Sequence, residues 1–219
     1  MAPRAASHVE CEARFLIRDS STWTRVMRLR SLNGLVAMER RRERQRNIYF
    51  DTADFCLRRK GAALKLRIVG GRATLMLKRR LKRTGTVMRH RELAVTLPTL
   101  SADAALRRLH TIEPGRHALR LADGRPVRVV MTLVTDRRRR IMGKGRARIA
   151  FDVDEVALKH GRRVVRRREL EVENLTAPEG LYRNTLAALR RAFRSALQPS
   201  HVSKFEFGLR ALRARRAKR

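Results

Sequence analysis

At 219 residues, 43% of them hydrophobic, the chain is long enough for one packed domain with short appendages, and its composition excludes global disorder. Neither a membrane span of roughly 18 apolar residues nor the apolar centre of a signal peptide is legible, which makes cytoplasmic the expected location. The excess of 54 Lys+Arg over 20 Asp+Glu, net +34, points to polyanionic partners: nucleic acid, polyphosphate or a compact phosphorylated substrate.

Residues 1–7 read as a loose leader. The first strand covers about 8–18. Side chains alternate along a strand, so Glu10, Glu12 and Arg14 share one face and Cys11 and Ala13 the other. Ser20 or Ser21 caps a helix from about Thr22 to Ser31, stopped at Asn33-Gly34. Residues 38–46, with Arg40, Arg41, Arg42, Arg44 and Arg46, read as a solvated strand or loop. Asn47 to Thr52 is a strand end entering a turn. In Ala63 to Ile68, Leu64, Leu66 and Ile68 alternate with Lys65 and Arg67. Gly70-Gly71 predicts a hairpin into the strand Thr74 to Lys78. A basic loop at 79–85 precedes a fifth strand, Val87 to Leu97, with His90, Glu92 and Ala94 on one face.

Ser101 caps a short helix from Ala102 to about His110; His110 and His117 lack a partner at ligand spacing and read as structural. Val127 to Val134 is an apolar strand, followed by the basic run to Arg140 and a hairpin at Gly143-Lys144-Gly145. Ala147 to Val156 sets Ile149, Phe151 and Val153 against Ala150, Asp152 and Asp154. The last long strand, Arg162 to Glu173, ends in Glu169, Glu171 and Glu173. Leu186, Leu189, Phe193 and Leu197 mark a helix over 181–197. A short element over 201–212 and a basic, disordered tail at 213–219 follow. Cys11 and Cys56 lack disulfide or metal-site spacing and read as small packing residues.

The clean alternation argues for an antiparallel sheet. Its unusual property is a charged face on strand after strand. A triple acid at spacing two is expected by chance only about 0.2 times in so acid-poor a chain. Such stripes either face water in a sandwich or line the lumen of a closed barrel whose apolar outer face is covered by helices. Opposed acids and bases in one lumen suit a polyanion together with a hard divalent ion, because carboxylates alone would repel phosphate. There is no Walker-type glycine loop.

These residues resemble the CYTH domain, or triphosphate tunnel metalloenzyme, family. The resemblance rests on the Glu10-x-Glu12-x-Arg14 strand, Tyr49-Phe50-Asp51-Thr52, Lys65 and Arg67, and Thr74 with Lys78. It continues through Asp154 and the Glu169, Glu171, Glu173 strand to Ser203-Lys204. It covers about residues 8–210 and is most like the bacterial inorganic triphosphatase branch. It implies an α+β fold over 8–212: an eight-stranded antiparallel β-barrel with a charged lumen and helices outside. It implies Mg²⁺ or Mn²⁺ as cofactor, held by Glu10, Glu12, Glu169 and Glu171 with Asp154 and Glu173 as further members. Arg14, Lys65, Arg67, Lys78 and Lys204 would hold phosphate oxygens, joined by Arg138 and Arg140 or by Arg137 and Arg139; the first pair is favoured. Glu10, Glu12, Lys65, Arg67 and Lys78 would carry catalysis. Two departures stand out: Arg14 where lysine is usual, and Ala94 where a second acid often follows Glu92.

The implied activity is metal-dependent hydrolysis of inorganic tripolyphosphate or an organic triphosphate. The alternatives are adenylate cyclase or thiamine triphosphatase chemistry in the same fold, or a non-catalytic module binding polyphosphate or nucleic acid through its basic surface. No membrane partner is expected, and the sequence leaves oligomeric state open.

Overall fold

The protein is described by a computed structural model, which covers residues 5–161 and 163–216. Residues 1–4 of the expected leader and 217–219 of the expected tail lie outside the described residues.

The chain begins with β1 (Ala6–Ile17), α1 (Ser20–Arg28), β2 (Ser31–Leu32) and β3 (Leu35–Asp51). The short helix α2 (Cys56–Arg59) precedes three strands, β4 (Ala62–Val69), β5 (Arg72–Thr84) and β6 (Val87–Leu97). Two helices, α3 (Ala102–Arg107) and α4 (Glu113–Ala122), lead to β7 (Arg128–Lys144), β8 (Ala147–His160) and β9 (Arg163–Asn174). The last elements are α5 (Glu179–Phe193), β10 (Leu197–Pro199) and α6 (Lys204–Arg216).

Eight antiparallel strands close into a barrel in the order β1-β6-β5-β4-β3-β7-β8-β9. Closure falls on β1. Its first part, Ala6 to Ala13, pairs with β6, and its second, Cys11 to Ile17, pairs with β9. Glu12 therefore sits where β1 has a neighbour on both sides.

The outward faces carry the alternating apolar residues and are covered by helices. Phe15, Phe151, Leu170 and Val172 pack under Tyr182, Leu186, Leu189 and Phe193 of α5. Leu64, Leu66, Leu75, Leu77 and Val95 pack under Leu57 of α2, Ala105 of α3, Leu109 of the turn that follows it, and Ala118 of α4. Buried area of this kind stabilises by roughly 25 cal/mol per Å².

One end of the lumen is apolar. Tyr49 lines the cavity and pairs with Met131, and Asn47 pairs with Leu133, so Met131 and Leu133 also point inward. Phe205 and Leu209 of α6 pack on them, and the Phe205 ring stacks on Tyr49 at 5.0 Å between centroids. The last helix thus blocks that end of the barrel. It approaches closely: a Cβ on Gly208 would meet Met131 Sδ at 2.2 Å.

Several elements differ from the sequence expectation, each for a local reason. Asp19, not Ser20 or Ser21, caps α1; its Oδ1 accepts from the Thr22 N–H at 2.7 Å, and a carboxylate also suits a helix N-terminus. Residues 79–84 are strand, not loop, because β6 pairs with them, and of the two readings of 38–46 the strand is the one found, paired with β7. The sequence reading has no helix over 113–122, yet α4 forms there, with Pro114 in its first turn, where the missing N–H costs nothing. Leu197 begins a strand against β1 instead of ending a helix. At the end of the chain, α6 runs past Leu212 to Arg216.

Candidate active site and metal centre

The barrel encloses a cavity of about 360 Å³. Most walls contribute charge: Glu10, Glu12 and Arg14 from β1, Lys65 and Arg67 from β4, and Lys78 from β5, while β3 contributes the uncharged Gln45, Asn47 and Tyr49. His90 and Glu92 come from β6, Arg137 and Arg139 from β7, Glu171 and Glu173 from β9, and Lys204 from α6. Strand register sets His90 opposite Glu10, Glu173 opposite Glu12, and Glu171 opposite Arg14.

Towards α6 the charges are paired densely. Lys204 Nζ lies 2.9 Å from Asp154 Oδ2, 2.5 Å from Glu169 Oε1 and 2.7 Å from Glu171 Oε1. Arg137 chelates Asp154 through Nε at 2.9 Å and Nη2 at 2.7 Å, and also reaches Asp152 and Glu171 at 2.6 Å. Arg14 bridges the group to β1, with Nε 2.8 Å from Glu171 Oε1 and Nη2 2.9 Å from Glu12 Oε1. Arg167 Nη2 caps the second oxygen of Glu169 at 2.5 Å. Burial would raise the Glu171 carboxyl, but Lys204, Arg14, Arg137 and Lys78 outweigh it and hold it well below the usual carboxylate value. Burial likewise disfavours charge on Lys204 and Arg14, yet the surrounding carboxylates push both upward.

Away from α6 the pairing thins out. Lys78 Nζ contacts Glu10 and lies 3.2 Å from Glu12 Oε1. Arg139 holds Asp152 at 2.7 Å and Glu173 at 2.7 Å. Burial and the nearby Glu10 push Glu173 up to about 7, against the pull of Arg139. Burial and Lys78 push His90 down to about 4, leaving its imidazole neutral. Lys65 and Arg67 have no carboxylate partner among the described residues; Arg67 only donates to Asn47 Oδ1 at 3.4 Å. Burial, then Arg67, drives Lys65 well below the usual lysine value. An incoming polyanion would relieve that unfavourable state.

Among the described residues, two groups of three side chains bring ligand atoms within 4.8 Å of one another: Glu10, Glu12 and His90, and Asp154, Glu169 and Glu171. Both include oxygen donors suited to Mg²⁺ or Mn²⁺. The buried Nδ1 of His90 has no hydrogen-bond partner among the described residues, so the first group also holds an uncommitted ligand atom.

The sequence expectation for the arginine pair is corrected. Arg137 and Arg139 line the cavity; Arg138 and Arg140 point outward. Arg137 stands opposite Asp154 and Arg139 opposite Asp152, which fixes the parity of β7. Arg138 is exposed near Met27, at 3.6 Å from its sulfur, and Arg140 donates to the Met27 carbonyl at 2.7 Å at the end of α1. Sequence reasoning also missed Asp152 and His90 as members of the site. The signal for Asp152 was its spacing of two from Asp154; for His90 it was its place on the face of Glu92. Ala94 follows on that face, opposite Ala6, where a second acid would have stood.

Beyond Tyr49, the Tyr-Phe-Asp-Thr segment at the end of β3 supports the tunnel wall from outside the lumen. Asp51 Oδ1 accepts from the Thr52 and Leu57 amides at 2.7 and 2.9 Å, and Oδ2 from Arg58 N–H at 3.1 Å. That fixes α2, whose Arg58 donates to both carboxylate oxygens of Glu206 on α6.

The CYTH domain profile matches residues 8–204. The chain belongs to the CYTH family. CYTH proteins are metal-dependent, and the acidic groups of this tunnel can hold an ion. Among solved structures, HpAC1 from Hippeastrum aligns with a TM-score of 0.67 and 18% identity over 92% of this chain and 96% of its own. It is a provisionally assigned adenylyl cyclase with a dominant triphosphatase activity. A provisionally assigned adenylate cyclase from Bacillus halodurans aligns at 0.61 and 20% identity, over 89% and 95% of the two chains. Protein PH1819 from Pyrococcus horikoshii aligns at 0.54 and 17%, over 91% and 99%. At these identities the likeness is one of fold. No curated protein matches the chain in sequence. Among the described residues no helix is long and apolar enough to cross a membrane.

Proposed function

We propose that this CYTH protein is a metal-dependent triphosphatase that hydrolyses the terminal phosphoryl group of inorganic tripolyphosphate or an organic triphosphate, in the manner of the bacterial inorganic triphosphatase branch. One observation carries the reading: the unpaired cations Lys65 and Arg67 share a cavity blocked at one end with the carboxylates Glu10 and Glu12. Cations alone would make an anion site. Cations and acids together suit an anion that arrives with a divalent metal.

Lys65, Arg67 and Lys78 take phosphate oxygens from two adjoining walls, and Arg139 from across the lumen. Charge accumulating on the transferred phosphoryl group is then met by donors already in place. Glu10 and Glu12 would hold Mg²⁺ or Mn²⁺, with Glu173 opposite Glu12 on β9. When bound, the ion supplies charge neutralisation and a more acidic water. Water adds to the terminal phosphorus, the bridging P–O bond breaks with its electron pair on the departing diphosphate, and one proton is released. Arg14, Arg137 and Lys204 position the β9 carboxylates through their ion pairs.

Phosphate release from tripolyphosphate, ATP and thiamine triphosphate, each with Mg²⁺, Mn²⁺ or chelator, tests the proposal and ranks the substrates. Cyclase chemistry would appear as diphosphate and cyclic nucleotide from ATP. Glu10→Ala with Glu12→Ala should abolish metal-dependent turnover, by about 10³-fold or more; unchanged turnover would sink the metal assignment.

A second reading has its own support. Arg40, Arg42, Arg44 and Arg46 are exposed at every second position of β3, a basic ladder on the outside of the barrel. Such a face suits a long polyanion, polyphosphate or nucleic acid, held without hydrolysis.

A further inference from the structure

The two carboxylate clusters in the tunnel differ in how completely they are neutralised. Asp154, Glu169 and Glu171 are contacted by Lys204, Arg137, Arg14 and Arg167, four cations for three acids. Glu10 and Glu12 have Lys78 and a share of Arg14. A divalent ion gains most where negative charge is left over, which is the second place. That place also holds a nitrogen. His90 stands in register with Glu10 on the neighbouring strand, and its Nδ1 lies 3.8 Å from Glu12 Oε1. This is too far for a hydrogen bond but suitable for sharing an ion, and the atom is buried without a hydrogen-bond partner among the described residues.

Imidazole nitrogen suits Mn²⁺ and, more strongly, Co²⁺, whereas Mg²⁺ takes oxygen ligands and gives little for a nitrogen. We propose that Glu10, Glu12 and His90 form a mixed nitrogen–oxygen metal site that favours transition-metal ions over Mg²⁺. The Asp154, Glu169, Glu171 cluster is instead the ion-paired anchor of α6. The inference rests on the tunnel being a metal site, as in the proposed function, but not on which triphosphate is turned over. It also gives Lys78 two states. Its ammonium now occupies the carboxylates, and an entering ion takes them over, leaving Lys78 free for phosphate.

The test uses the full chain after chelation and dialysis, without substrate. Calorimetric titration with Mn²⁺, Co²⁺ and Mg²⁺ compares the native protein with His90→Gln. The variant should lose about tenfold or more in affinity for Co²⁺ and Mn²⁺ but less than about threefold for Mg²⁺. Equal losses for all three ions would overturn the proposal. Electron spin-echo spectroscopy of the Mn²⁺-loaded native protein needs no variant and should show modulation from a directly bound nitrogen. Its absence overturns the proposal, as does its persistence in His90→Gln, which would assign the nitrogen to His8 or His201, which line the same cavity. Nitrogen ligation without hydrolysis of any triphosphate would keep this site and reject the triphosphatase reading. Hydrolysis without nitrogen ligation would do the reverse.

Discussion

Arg137 and Arg138 are neighbours in sequence with opposite fates. Arg137 is buried among Asp152, Asp154 and Glu171. Its replacement by Met leaves three acids under-compensated, and denaturant unfolding should show a loss of about 3–5 kcal/mol together with lost turnover. Arg138→Ala, on the outer surface, should stay within about 0.5 kcal/mol of the native protein. His90 and Glu173 make opposite contributions to pH dependence in the metal-free state. His90 titrates at about 4 when folded, below its ordinary 6.5. Unfolding then gains a proton, and stability is lost as pH falls from 6.5 towards 4. Glu173 titrates at about 7 when folded, above its ordinary 4.5. Its charge costs stability above pH 7, and that cost fades as pH falls to 4.5. Unfolding midpoints measured with chelator from pH 4 to 8 should therefore separate two variants. His90→Gln should gain on the native protein at the acid end, and Glu173→Gln at the alkaline end. Each difference should be at most about 3 kcal/mol.

The elements were legible wherever one face differs in polarity from the other. Leu64, Leu66 and Ile68 against Lys65 and Arg67 fix both strand and facing, and so do Ile149, Phe151 and Val153 against Asp152 and Asp154. Residues 136–140 contain no apolar position, so alternation cannot say which arginines point inward; only pairing with β8 does. The arginine-rich part of β3 was obscure for the same reason. Helix α4 was hidden by Pro114-Gly115, whose fitness for a helix start depends on tertiary packing. A Cβ at position 115 would lie 2.2 Å from the Leu109 carbonyl oxygen and 2.5 Å from its Cα, both backbone atoms. Gly115→Ala should accordingly displace α4 from β5 and β6 and cost about 2–3 kcal/mol in thermal or denaturant unfolding. The apolar end of the lumen was missed because Tyr49, Met131 and Leu133 look, in sequence, like outward core residues. That they point inward follows only from barrel closure and the docking of α6.

At the scale of the molecule, charge is divided between an inside where acids and bases are mostly paired, Lys65 and Arg67 excepted, and an outside where bases predominate. The inner charges were partly legible, since the acids are scarce, only 20 in the chain, and they recur at spacing two on the strands that build the tunnel. Nothing in the sequence separates an arginine that binds phosphate there from one that merely keeps the surface basic. The outer ladder on β3 makes a separate prediction. Binding of long-chain polyphosphate should weaken linearly in log affinity with log salt, and Arg40→Gln with Arg42→Gln and Arg44→Gln should reduce that slope. Tripolyphosphate turnover should be unaffected by the same three changes. A filter-binding series across salt concentrations, run beside the phosphate-release assay, separates surface capture from tunnel chemistry.

The closure of the barrel on its first strand has a kinetic consequence. The ion pair between Arg14 and Glu171 joins residues 157 positions apart. The cation that completes the acidic cluster, Lys204, comes later still, at the start of α6. Until those late residues arrive, β1 lacks one of its two neighbours and Asp154, Glu169 and Glu171 lack one of their cations. Contacts of such sequence separation fold slowly. Assembly of the lumen is therefore a late, cooperative event, and the charged interior is finished only when the last helix docks.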